Sequence, residues 1–170
     1  GVYDPGSDDQ ATFELIDDVE IYGGFIGNET TRDQRNFVQN KTFLSGDDVC
    51  SVVVTADNVS SSTILDGFII QAGTSDGIYC YNGDPVIANC VVMENGDIGI
   101  RCRYSEPAIS ACVVKDNDDD GVEFYGSGSP VIERSKIYDN TGYGIYAQSS
   151  SPVITNNWIH HNDEGGIYLY

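Results

Sequence analysis

Short runs in which apolar and polar residues alternate fill the second half of the chain. Pro85-Val86-Ile87, Pro107-Ala108-Ile109, Pro130-Val131-Ile132 and Pro152-Val153-Ile154 each open a block. A second apolar pair follows, then Asn, a polar turn, and Gly-Ile-Tyr or a close variant. Alternation over a few residues is strand period, and no window holds apolar positions at helical spacing over ten residues. The prolines recur at steps of 22, 23 and 22 residues. Gly77, Gly99, Gly121, Gly144 and Gly166 keep the same step, as do Asn95, Asn117, Asn140 and Asn162. Three residue types in one register define a repeat. Proline suits the first residue of a strand, and Gly and Asn suit turns because both tolerate left-handed backbone.

A block of about 22 residues cannot bury its own apolar face, so blocks must stack. Three short strands per block, each laid on its counterpart in the next, make a parallel β-helix with coils ~4.8 Å apart. The register predicts four inward columns. Leu65, Ile87, Ile109, Ile132 and Ile154 form the first; Ile70, Val92, Val114, Ile137 and Ile159 the second. Ile78, Ile100, Val122, Ile145 and Ile167 form the third; Cys80, Cys102, Phe124, Ala147 and Leu169 the fourth. Residues 1–62 are less regular. Strands are expected at Thr12–Leu15, Val19–Tyr22, Thr42–Ser45, Ser51–Thr55 and Thr63–Gly67, with a polar insertion near 27–40, carrying Arg32 and Arg35, that loops out. Nothing divides residues 1–170 into two domains.

Charge narrows the partners. Asp and Glu number 27 against 8 Lys and Arg, a formal charge of −19. That argues against nucleic acid, which needs clustered cations, and against anionic membrane and polyuronates. Neutral glycans or calcium fit better. No run nears the ~18 apolar residues of a membrane span. Gly1 leads directly into folded-looking sequence, so the chain reads as a mature product or an excised piece.

The first half carries more distinctive segments: Ala11-Thr12-Phe13-Glu14-Leu15, Ile21-Tyr22-Gly23-Gly24-Phe25-Ile26-Gly27, Glu29-Thr30-Thr31-Arg32-Asp33-Gln34-Arg35, Thr42-Phe43-Leu44-Ser45-Gly46-Asp47 and Ile64-Leu65-Asp66-Gly67-Phe68. Over most of residues 1–76 these resemble the right-handed parallel β-helix repeat proteins of bacterial surfaces, of the polymorphic outer-membrane-protein type. The resemblance implies an all-β, single-stranded right-handed parallel β-helix, here of about seven coils. It implies an extracellular or cell-surface protein, and function only at the level of surface structure, adhesion or glycan contact.

Candidate sites follow from the outward positions. Tyr79, Arg101, Glu123, Tyr146 and Tyr168 stack in one outward column. Tyr81, Arg103, Tyr125, Gln148 and Tyr170 stack in the next. Tyrosine rings can stack on sugar rings while Arg and Glu bind hydroxyls; equally, cross-strand tyrosines can simply stabilise a sheet face. Glu94, Asp116, Asp139 and His161 share another position. Stacked carboxylates must be solvated, protonated or bridged by a cation, so calcium is a candidate there, with Asp116 to Asp120 adding oxygens; a hydrated acidic edge is the alternative. Cys80 and Cys102 stack, as do Cys90 and Cys112, either as cross-coil disulfides or as buried reduced thiols, with Cys50 left over. Asn28, Asn40 and Asn58 begin Asn-X-Ser/Thr triplets open to N-glycosylation.

Catalysis has weaker support. Glu123 beside Arg101 and Arg103 is the nearest match to the acid-and-base groups of pectin-cleaving β-helices, and His160 and His161 sit in a turn. Neither is a complete constellation. The expected role is a structural or adhesive extracellular module, a subunit of a surface assembly or filament that associates by end-to-end coil stacking or with neighbouring segments of a longer chain. The alternative is a glycan-binding or glycan-modifying, pectate-lyase-like β-helix. No cofactor other than calcium is implied.

Overall fold

A computed structural model describes residues 1–6, 8, 11–46 and 50–170. Asp47, the last residue of one of the distinctive segments, lies outside them. The described residues form three parallel sheets, two of seven strands and one of six. Sheet A begins with Val2–Tyr3 and Phe43–Ser45 and ends with Trp158–His160; sheet B runs from Phe13–Leu15 to Gly165–Leu169; sheet C runs from Glu20–Tyr22 to Val153–Thr155. The chain visits A, B and C in turn and then steps up one coil. This is a parallel β-helix, as the repeat predicts, and a right-handed one, as the resemblance implies, with six complete coils and two strands of a seventh. The count falls short of seven because residues 23–42 add no strand.

The four inward columns stand as read. Ile87 faces Leu65 and Ile109, and Ile132 faces Ile109 and Ile154. Val92 lies between Ile70 and Val114, and Ile100 between Ile78 and Val122. Leu65, Ile87, Ile109 and Ile132 are fully buried. Each such side chain contributes about 1.5–3 kcal/mol by leaving water. The fourth column alternates size: Phe124 sits between Cys102 and Ala147, so a large ring fills space left by small neighbours.

The turn residues act differently from expectation. Gly77, Gly99, Gly121 and Gly144 are not in the left-handed region. They are glycine for lack of room: a Cβ at Gly99 would lie 2.6 Å from the Gly121 carbonyl oxygen and 2.6 Å from Val114. The left-handed corners are taken by varied residues, among them Glu94, Asp116 and Asp139 after sheet A and Asn89, Ala111 and Arg134 after sheet C. Each is held by amide-to-carbonyl bonds to the next coil, such as Glu94 to Asp116 at 3.0 Å, and neighbouring structure can impose such a backbone on any side chain. The repeated asparagines line the interior as a side-chain ladder. Asn95 donates to Asn117 at 2.9 Å, Asn117 to Asn140 at 2.9 Å, and Asn140 to Asn162 at 2.8 Å.

The insertion near 27–40 is expected to loop out; instead residues 23–42 fold back over the coil. Arg35 forms an ion pair with Asp66 at 2.7 Å, largely buried on both sides, and also donates to the Gly23 and Asp66 carbonyls. Glu29 accepts from the amides of Ile26 and Gly27, each at 2.8 Å, and Asn40 donates to Gly24. The strand Val2–Tyr3, too short to show periodicity, pairs with Phe43–Leu44.

Candidate functional site

The outer face of sheet B carries the glycan-contact candidates in the order the repeat gives. Tyr79, Arg101, Glu123, Tyr146 and Tyr168 are consecutive partners across four coil steps. Tyr81, Arg103, Tyr125 and Gln148 form the adjacent row. Successive side chains of a strand point to opposite sides, so an inward column of Ile or Cys obliges an outward column beside it.

Two aromatic patches flank a charged centre. At one end the Tyr146 and Tyr168 rings are stacked, 5.5 Å apart and 10° from parallel, with Tyr143 5.0 Å from Tyr168. At the other, Tyr81, Tyr104 and Tyr125 form edge-to-face pairs at 6.0 and 5.9 Å, and Tyr79 is 6.4 Å from Tyr81. Tyr81, Tyr104 and Tyr168 are exposed, so these rings offer faces and hydroxyls to a ligand.

Arg101 is the hub between the patches. It reaches Asp76 at 3.0 Å, Asp97 at 2.9 Å and Glu123 at 3.5 Å, and Arg103 also reaches Glu123, at 3.4 Å. Asp76 is 2% exposed. Burial pushes its carboxyl up to about 6 against the opposing pull of Arg101. Asp120 is likewise pushed up to about 6 by burial, although it accepts the Tyr143 amide at 2.6 Å. Sequence reasoning named neither Asp76 nor Asp97. Asp76 precedes Gly77 just as Asp120 precedes Gly121, so the register did hold a signal for both buried carboxyls. Tyr104 was missed because it occupies a left-handed corner, φ 53°, outside the strand columns.

The acidic column stacks along the coil corners. Glu94, Asp116 and Asp139 lie on successive coil corners tied by backbone bonds, and the Asp116 carboxylate takes Lys115. Among the described residues no group of three or more His, Cys, Asp or Glu is placed to hold a metal ion. His160 and His161 bring their Nδ1 atoms to 2.6 Å, with Tyr138 stacked on His160.

No disulfide joins the described cysteines in the structure. Cys80, Cys90, Cys102 and Cys112 are buried thiols. Cys80 and Cys102 face each other across the ladder, whereas Cys90 and Cys112 donate to carbonyls, including Leu65 and Ile87. In-register strands hold equivalent Cβ atoms near the ~4.8 Å strand spacing, wider than the ~3.8 Å typical of a disulfide. Burial pushes the Cys90 thiol up to about 12 and those of Cys102 and Cys112 well up. Asn28 and Asn58 are exposed; Asn40 is half-buried, its amide bound within the folded-back loop. No helix among the described residues is long and apolar enough to cross a membrane.

Residues 50–170, most of the chain, match the family described as "Right handed beta helix region". The chain belongs to this family. No curated protein sequence matches it. Among solved structures it is similar to the A-module of the mannuronan C-5 epimerase AlgE4 of Azotobacter vinelandii, at 13% identity, over 94% of this chain and 72% of that one, with a TM-score of 0.38.

Proposed function

We propose that this β-helix is an adhesive module of an extracellular or cell-surface protein, and that the outer face of sheet B is its contact surface for a neutral glycan. The observation that supports it is the tyrosine strip across sheet B, with Arg101, Arg103 and Glu123 at its centre. Flat rings beside paired hydrogen-bonding groups suit a sugar, whose faces are apolar and whose rim is hydroxylated. The charge selects the class of sugar. Arg101 and Arg103 are already engaged by Asp76, Asp97 and Glu123, so the face offers a uronate no uncommitted cation and several repelling carboxylates. Membership of the bacterial surface type, and glycosylation at Asn28 or Asn58, are parts of the same proposal.

A glycan array tests it, with the wild type and the double variant Tyr146→Ala, Tyr168→Ala. Neutral glycans should bind and polyuronates should not. Loss of two stacking rings, at about 1 kcal/mol each, should weaken binding roughly thirtyfold. Binding of uronates in preference to neutral glycans, or no change in the double variant, would refute it. A sugar-modifying role is favoured by one feature, the Asp76 carboxyl held near neutral pH beside Arg101; turnover of a polysaccharide, abolished by Asp76→Asn, would establish that reading instead.

A further inference from the structure

The folded-back loop creates a second surface, on sheet A. Phe37 and Val38 stand over the sheet's outward row, Phe43, Ile69, Val91 and Val113, and enclose with it a groove of about 580 Å³. This volume lies within the range of small-molecule sites. The loop wall is anchored, not draped: Gly67, at φ +85°, leaves room for Phe37, whose Cβ would lie 3.0 Å from any added Cβ, and Arg35 holds Asp66 beside it.

The groove's charge is opposite to that of the chain. Among the described residues its lining contains Lys41 and Lys115 and no Asp or Glu, in a chain of 27 acidic and 8 basic residues. The third lysine, Lys136, continues the same outward row after Val113, its ammonium 5.4 Å from the Trp158 ring centroid. All three lysines of the chain therefore border one apolar strip. A shallower pocket at the coil corner is lined by Glu94, Asp116 and Asp118 instead.

The floor offers nothing to a peptide backbone. The amides of Ile69, Val91 and Val113 are given to the carbonyls of Thr42, Phe68 and Cys90. A peptide laid there would bury its own amides unpaired, at a cost of a few kcal/mol each. An acyl chain has no such groups. From Phe43 to Val113 the row spans three coil steps, about 14 Å at the usual strand spacing.

We propose that this groove binds a single-chain anionic amphiphile, a fatty-acid-like molecule whose acyl chain lies along the row and whose carboxylate is met by lysine. Lys41 is the principal anchor, because Lys115 is already held by Asp116.

The test is isothermal titration of the folded chain with octanoate, decanoate and laurate below their micellar concentrations, with dodecanol and dodecyltrimethylammonium as controls. Saturable one-to-one binding is expected, tightening by about fourfold per methylene. Lys41→Gln should weaken laurate by up to about fivefold and leave dodecanol unchanged. Val91→Glu, shown to be folded by an unchanged circular dichroism spectrum, should abolish binding. The glycan-face variant Tyr146→Ala, Tyr168→Ala should bind laurate as the wild type does. The proposal fails if laurate gives no saturable heat, if dodecyltrimethylammonium binds as tightly as laurate, or if folded Val91→Glu still binds. Dimerisation abolished by Val91→Glu, without laurate binding, would assign the groove to a second copy and also overturn it.

Discussion

Replacing Asp76 by Asn should stabilise the protein at neutral pH. Asp76 is almost fully buried, and its carboxyl is pushed up to about 6 from an ordinary 3.8 despite the ion pair with Arg101. A carboxyl with a raised folded-state pKa binds its proton more tightly in the fold than in the unfolded chain. Its contribution to stability is therefore fully present below about pH 3.8 and is lost as pH rises through about 6. The shift of about two units, at 1.36 kcal/mol each, amounts to about 3 kcal/mol. Asn keeps the shape and the acceptor toward Arg101 and removes the charge. Urea unfolding of Asp76→Asn should show a gain of up to about 3 kcal/mol at pH 7.5 and almost none at pH 3.5, with a flatter pH profile between. Asp120, held near 6 by the same cause, keeps part of the slope. A variant less stable than wild type at pH 7.5 would show instead that the Arg101 pair outweighs burial and that the Asp76 charge stabilises the fold.

Three further outcomes follow from the coil geometry. Ile109→Ala empties a fully buried column position between Ile87 and Ile132 and should cost about 2–5 kcal/mol in urea unfolding. Gly99→Ala places a methyl 2.6 Å from the Gly121 carbonyl and should lower stability by at least about 1–3 kcal/mol, with loss concentrated in hydrogen-exchange protection of the neighbouring coils. Cys80, Cys90, Cys102 and Cys112 should resist a thiol-reactive dye in the native state and react only on unfolding, while exposed Cys50 reacts at once.

The fold was legible because stacking repeats one decision many times. The four columns from Leu65 onward, and the alternation that puts Tyr79 and Arg101 outside, needed only a register and a period of two. Where the sequence read less well, the determinant was not periodic. Glu94 and Ala111 occupy left-handed corners that their residue types do not announce, because inter-coil hydrogen bonds impose the backbone. The insertion was read as projecting, yet Arg35 finds Asp66 thirty-one residues on, a pairing that no local pattern encodes. The site was legible as two rows of residue types. Its polarity was not, because two of the partners of Arg101, buried Asp76 and half-buried Asp97, lie off the strands.

Side-chain and backbone NMR shifts recorded while a neutral oligosaccharide from the array is titrated into the folded chain test the functional claim most directly. The ring signals of Tyr143, Tyr146 and Tyr168 and the Arg101 guanidinium should move together to saturation, while Val91 and Val113 on sheet A stay in place. Saturable binding that moves the sheet A signals and leaves those tyrosines unshifted would contradict that claim.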